Sequence, residues 1–326
     1  MKTVITDHPF PSLHHTEEIF SRNGIELEVL QTRDPQKILE NVKSADALIV
    51  GMARIDKKII DSLQRCKIIV RLGVGYDNID VSSATEHGIL VANIPDFCTE
   101  EVSDHTIALI LMIGRRILEG QKAVREGKWG PTAINFNSFF RIREQTLGLF
   151  GFGRIARLVT EKAKGLKMKC IAFDPYVTKE TMEAYGVEKV EMKELLRQSD
   201  YVSLHSPLTK ETINAFGIEE FREMKNTAWL INTSRGQVIK EDDLIAALDQ
   251  KLIAGAALDV LAKEPPDRNH PLLNRENVII TPHMASWTWD SREELQIKGA
   301  EEVVRVLRGE RPKNLVNPET LHIKRA

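Results

Sequence analysis

Short, mostly apolar runs alternate with amphipathic stretches along the first third of the chain. The runs at residues 2–6, 26–30, 47–50, 68–72 and 89–92 read as strands. The intervening segments at 14–22, 35–42, 57–63 and 81–87 read as helices. Apolar strands separated by helices predict a parallel sheet covered on both faces. A long, largely buried helix follows. Thr99 is placed to cap it, and Glu100 and Glu101 fall in its first turn, where the helix dipole favours acids. Val102, Ile107, Leu109, Ile110, Leu111 and Ile113 make it apolar, with Arg115 and Arg116 near its later turns. Residues 127–140 then predict an irregular arm carrying Trp129, Phe136, Phe139 and Phe140. Such side chains are more comfortable against another subunit than in water.

A second alternation starts at Thr146. Strands are predicted at 147–150, 168–173, 201–205, 228–232, 254–258 and 278–281, and helices near 154–165, 192–198, 241–249 and 291–309. The fold class is therefore α/β, with two Rossmann-like, doubly wound parallel-sheet domains and a cleft between them. A length of 326 residues suits two domains. Hydrophobic residues make up 42%, enough for sizeable cores. Lys and Arg total 45 against 47 Asp and Glu, a net charge of −2 that gives no broad pull on nucleic acid or anionic lipid. No apolar run is long enough for a membrane helix, and Asp7 interrupts any secretory signal. Cys66, Cys98 and Cys170 lie far apart with no C-x-x-C, which points to a reduced, cytoplasmic chain without a redox or zinc role. His8, His14 and His15 cluster without a suitably spaced carboxylate, so no metal site is expected.

Gly151-Phe152-Gly153-Arg154-Ile155-Ala156 follows the strand at 147–150 and opens a helix. Gly151 allows a tight turn, Gly153 lets backbone amides approach a pyrophosphate, and Ala156 lets helix and strand pack closely. The helix N-terminus then holds the phosphate charge. The next strand ends in Asp174, 21 residues beyond Gly153. An acid there accepts from ribose hydroxyls and repels a 2′-phosphate, so the cofactor expected is NAD rather than NADP. Three further motifs follow: Ile231-Asn232-Thr233-Ser234-Arg235-Gly236, Glu264-Pro265-Pro266, and Thr281-Pro282-His283-Met284-Ala285-Ser286. Taken singly, each is an ordinary loop. The first and third follow predicted strands, whose C-terminal ends face the ligand crevice, and an Arg, a Glu and a His gathered there can run carbonyl chemistry.

Together with Gly73-Val74-Gly75-Tyr76-Asp77-Asn78-Ile79-Asp80, Asn93-Ile94-Pro95, Leu204-His205-Ser206-Pro207-Leu208-Thr209 and Ala257-Leu258-Asp259-Val260, these motifs make the chain resemble an NAD-dependent D-2-hydroxyacid dehydrogenase over nearly its whole length. The stretch 93–116 is also similar to the C-terminal-binding-protein branch of that superfamily, and the chain as a whole to the phosphoglycerate dehydrogenase branch. The resemblance implies reversible hydride transfer between NAD(H) and a small 2-oxo or D-2-hydroxy acid. His283 would be the general acid/base, since imidazole suits reversible proton transfer near neutral pH. Glu264 would bond its other ring nitrogen and favour imidazolium. Arg235 would grip the oxo acid and polarise its carbonyl. The backbone N–H groups of Val74 and Gly75 would hold the carboxylate.

Arg154 and Ile155 would offer amides to the pyrophosphate, and His205, Ser206 and Pro207 would flank the adenine. Thr233 and Asp259 would meet the nicotinamide side, Asp259 accepting from the carboxamide; Ser234, Arg235, His283, Ala285 and Ser286 would add cofactor contacts, and Thr99 would approach the cofactor. Tyr76, Phe97 and Trp287 would line the substrate pocket, Trp287 narrowing it where relatives often carry a small residue. The implied domains are a discontinuous substrate domain, 1–97 with 290–326, and an inserted NAD domain, 98–289, with a dimerisation arm about 120–145 and a homodimer as the assembly. Gln commonly stands at the Glu264 position in formate enzymes of the family, which disfavours that activity. Two alternatives stay open: phosphite dehydrogenase, which uses a similar Arg/Glu/His set, and an NAD(H)-responsive, corepressor-like binding module.

Overall fold

The computed structural model describes residues 1–135 and 139–323. Part of the expected arm, Phe136 included, and the last three residues lie outside the described residues. The chain divides into two compact units, Met1–Cys98 with Trp287–Ala326 and Thr99–Ser286. The first unit winds β1 (Lys2–Ile5), α1 (His14–Arg22), β2 (Glu26–Val29), α2 (Pro35–Asn41), β3 (Ala47–Val50), α3 (Lys57–Asp61), β4 (Ile68–Arg71), α4 (Val81–Glu86) and β5 (Leu90–Ala92). Its sheet is entirely parallel in the order β2-β1-β3-β4-β5. All four residues of β3 and of β4 are buried, which is why β3 reads as a continuous apolar run and β4 as one broken only by Arg71. Acids start three of the helices. Asp34 accepts from the Gln36 N–H at 2.9 Å, Asp56 from Ile59 at 3.1 Å and Asp80 from Ser83 at 3.0 Å. Each such cap is worth about 1 kcal/mol.

The second unit begins with α5 (Thr99–Gly114) and α6 (Ile117–Arg125). Thr99 is the first residue of α5, one place inside the capping position expected of it. The chain turns where Arg116 takes a left-handed φ of 50°, so α6 is a separate helix that the apolar pattern does not reveal. Ile117, Leu118 and Val124 on α6, and Trp129 beyond it, are exposed. Then follow β6 (Thr146–Phe150), α7 (Arg154–Gly165), β7 (Lys169–Phe173), α8 (Lys179–Ala184), β8 (Glu188–Lys189), α9 (Met192–Gln198), β9 (Tyr201–Leu204), α10 (Ile218–Glu223), β10 (Trp229–Asn232), α11 (Glu241–Asp249), β11 (Gly255–Leu258) and β12 (Val278–Ile280).

The sheet order is β12-β11-β10-β9-β6-β7-β8, all parallel. The winding reverses between β6 and β9, and the crevice at the C-terminal ends of such a pair is where open α/β sheets bind ligands. Strand residues alternate between two cores. Leu147, Leu149, Tyr201, Trp229 and Ile231 face one, while Val202, Leu204, Leu230 and Leu258 face the other. α12 (Trp289–Leu307) then belongs to the first unit. It packs on α1 and β4, and a Cβ at Gly299 would come within 2.7 Å of Leu72. The closing segment is pinned by buried Asn317, which accepts from the Val91 N–H at 2.8 Å and donates to the Ile89 carbonyl at 2.9 Å.

Candidate active site

The glycine loop sits at the reversal point. Gly151 has φ +91°, and a Cβ there would lie 3.0 Å from the backbone of His205 and Ser206, at the end of β9. Only glycine passes so close to the neighbouring strand. Gly153 is the N-cap of α7 with φ −78°, and no side chain caps that helix. Its first-turn amides therefore keep the orphan donors of a helix N-terminus, and a Cβ at Gly153 would meet nothing within 4 Å. Asp174 is built into the same loop. Its carboxylate accepts from the Phe152 N–H at 2.8 Å and from the Tyr176 N–H at 2.8 Å.

His205 Nε2 lies 2.8 Å from Ser203 Oγ, and burial pushes the imidazole down to about 4, so it is neutral near pH 7. Beside it, Ser206 Oγ is buried with no hydrogen-bond partner among the described residues. Open space over Gly153, an uncapped helix N-terminus, a half-buried acid and an orphaned hydroxyl fit a dinucleotide. Arg154 and Ile155 would lend amides to its pyrophosphate, Asp174 would accept from its ribose, and Ser206 and Pro207 would line its adenine side.

The expected catalytic side chains sit on three loops of the same unit. Asn232, fully buried, donates to the Arg235 carbonyl at 2.9 Å and accepts from the Ser234 N–H at 2.9 Å and Oγ at 2.8 Å. That clamp sets the turn from which Arg235 projects. At Gly236 a Cβ would fall 2.0 Å from the Leu261 carbonyl carbon, so the turn presses directly on the loop leading to Glu264. Glu264 Oε1 accepts from the Leu261 N–H at 3.0 Å, and Oε2 lies 2.6 Å from His283 Nδ1. Burial works to raise the Glu264 pKa. The His283 hydrogen bond and charge, the Leu261 N–H and the Arg235 charge outweigh it and hold the carboxyl below its ordinary value.

His283 has a left-handed φ of 53°, and its N–H points to the Asp259 carbonyl at 2.8 Å. Asp259 is 2% exposed and anchors the whole loop. Its carboxylate accepts from Thr281 Oγ1 at 2.6 Å, Met284 N–H at 2.9 Å and Ala285 N–H at 2.9 Å. The residue expected at the nicotinamide carboxamide thus already holds three donors of its own chain.

Two side chains of α5 prop these loops, and neither is marked as a site residue by the sequence motifs. His105 Nε2 lies 3.0 Å from Thr281 Oγ1, and Thr106 Oγ1 lies 3.1 Å from Thr233 Oγ1. A polar pair inside an apolar helix was the only available signal. In the first unit, the Asn93 side chain donates to the Val74 carbonyl at 2.6 Å, which fixes the 73–76 turn, where Gly73 has φ +144°. Tyr76 is exposed, and Trp287 carries the Arg292 guanidinium 4.6 Å from its ring centre. Among the described residues, no group of three or more His, Cys, Asp or Glu is arranged to hold a metal, and no helix is long and apolar enough to cross a membrane.

Residues 107–285 match the model of the D-isomer specific 2-hydroxyacid dehydrogenase NAD-binding domain. A glyoxylate reductase of Thermococcus litoralis is 38% identical over 95% of this chain and 98% of its own. A D-3-phosphoglycerate dehydrogenase of Archaeoglobus fulgidus is 35% identical over 97% of this chain, which spans 59% of that protein's length. The crystal structure of D-lactate dehydrogenase from Aquifex aeolicus, complexed with NAD and lactic acid, has a TM-score of 0.89 at 29% identity and covers 96% of this chain and 98% of its own. The chain belongs to the D-isomer-specific 2-hydroxyacid dehydrogenase family. It is an NAD-dependent oxidoreductase of that class.

Proposed function

We propose that the chain reduces a small 2-oxo acid to the D-2-hydroxy acid, and reverses that step, with His283 as general acid and base. The observation that carries this reading is the 2.6 Å bond between His283 Nδ1 and Glu264. It commits Nδ1 to the carboxylate and leaves Nε2 for proton transfer with the substrate. Bound NAD(H) supplies or takes up the hydride. In reduction, His283 Nε2–H donates its proton to the carbonyl oxygen as that oxygen gains charge, and Glu264 stabilises the imidazolium on which the step depends. Arg235 holds the carboxylate and carbonyl through its planar fork. A substrate of glyoxylate or pyruvate size is in keeping with the glyoxylate reductase among the relatives. The exposed apolar side chains of Ile117, Leu118, Val124, Trp129 and Phe140 support a homodimer, and the three cysteines, far apart in the sequence and without a C-x-x-C, support a cytoplasmic setting.

The test is NADH consumption with glyoxylate, hydroxypyruvate, phosphohydroxypyruvate, pyruvate and branched or aromatic 2-oxo acids, with His283→Ala beside the parent. The expected result is one preferred small acid. Its kcat should fall by about 10²–10⁴-fold in the variant, while NADH still binds. NADH binding with no 2-oxo acid reduced, or full turnover by the variant, would overturn the reading.

A further inference from the structure

β7 and β9 flank β6 on either side, so the loops that follow them border the glycine loop. These two loops are tied to each other. The Tyr176 hydroxyl, two residues beyond Asp174, donates to Glu211 Oε2 in the loop after β9, bridging 35 residues of sequence. Tyr176 is 78% exposed, yet its polar end is committed to that carboxylate. The Glu211 turn is itself held. Thr212 Oγ1 donates to the Pro207 carbonyl at 2.6 Å, and the Glu211 N–H donates to Thr209 Oγ1 at 3.2 Å. The Tyr176 phenol is raised above its ordinary value, first by the hydrogen bond to Glu211 and then by the charges of Glu211 and Asp174. The nearby Lys189 is spent on the Val177 carbonyl at 2.7 Å. Both charges acting on this hydroxyl are negative, and both flank the end of the site where Asp174 meets the ribose.

We propose that Glu211, fixed by the Tyr176 hydroxyl, is a second acidic determinant beside Asp174 that excludes the 2′-phosphate of NADP(H). The inference rests on the dinucleotide site described above. Asp174 has its two oxygens engaged by backbone N–H groups and meets the ribose hydroxyls. Glu211 adds a second charge, held by the Tyr176 hydroxyl in a loop that borders the same glycine loop. A doubly charged phosphate about 8 Å from a carboxylate in water is repelled enough to weaken binding about five-fold at low salt, and much less when the Debye length is shorter than that distance.

The experiment measures the dissociation constants of NADH and NADPH by quenching of protein fluorescence, for the parent, Glu211→Gln and Tyr176→Phe, at low and at high salt. The expected result is a ratio of NADPH to NADH dissociation constants that falls about five-fold in Glu211→Gln and by less in Tyr176→Phe, where the carboxylate remains but is no longer fixed. The parent ratio should also narrow with salt more than the Glu211→Gln ratio does. An unchanged ratio in Glu211→Gln, or equal salt dependence in both proteins, would overturn the proposal. Failure of the parent to bind NADH would instead overturn the cofactor site itself.

Discussion

Two glycines of one loop serve different purposes, and a single methyl group at each separates them. At Gly151 the backbone has φ +91°, and an added Cβ sits 3.0 Å from three backbone atoms of His205 and Ser206. The conformation costs an L-residue about 1–3 kcal/mol. The contacts add to this, because the atoms met are backbone at the end of a central strand and cannot rotate away. Gly151→Ala should therefore lose about 2–4 kcal/mol of stability. At Gly153 φ is −78°, and a Cβ meets nothing within 4 Å. Gly153→Ala should change stability by less than about 1 kcal/mol, the scale of an N-cap exchange. Its methyl would instead stand where a pyrophosphate has to come close to the amides of α7, and NADH affinity should fall at least about ten-fold. Denaturant unfolding and NADH titration on the same two variants give both readings. A Gly151→Ala protein that unfolds at the parental denaturant concentration would refute the strain argument. Parental NADH affinity in Gly153→Ala would refute the placement of the pyrophosphate.

Two further outcomes follow from the titratable groups. His205 has a folded pKa pushed down to about 4 from an ordinary value of 6.5, so the unfolded chain binds the extra proton between those values. The stability this contributes is complete above pH 6.5 and is lost as pH falls towards 4, by roughly 3 kcal/mol. Unfolding curves at neutral and acid pH should show that slope, and His205→Gln should flatten it; an equal slope in both proteins would count against the burial argument. Glu264→Gln keeps an acceptor for His283 Nδ1 but removes the charge, and should lower kcat for 2-oxo acid reduction by about 10–100-fold with little change in NADH affinity. Parental kcat in that variant would show that orientation alone is what Glu264 provides.

The contrast between what the chain discloses and what it conceals follows from who imposes each requirement. β3, β4 and β10 are buried along their whole lengths, so burial itself wrote their apolar runs, broken only by Arg71 and Asn232 at the C-terminal ends of β4 and β10. β8 is a two-residue edge strand of Glu188 and Lys189, and α8 and α10 are six-residue helices with one buried side chain each, so no apolar run or period marks them. The glycine loop is legible for a related reason. A positive φ and a close backbone approach admit only one residue type, and the next strand places Asp174 at a set distance along the chain. The turn that holds Arg235 is equally local, since Asn232 bonds residues two and three places on.

Side-chain pairs made across the sheet leave no such trace. His105 with Thr281, Thr106 with Thr233 and Tyr176 with Glu211 join residues 176, 127 and 35 places apart. Many residue types would satisfy the backbone at each of those positions, so only the folded chain reveals the choice. Asp259 lies between the two cases. Its place after β11 is readable, yet the three donors that engage it come from the His283 loop more than twenty residues on. An acid at that position therefore holds the backbone that carries His283. Exchanging it for Asn would weaken three bonds that orient the imidazole before it altered any contact with a cofactor.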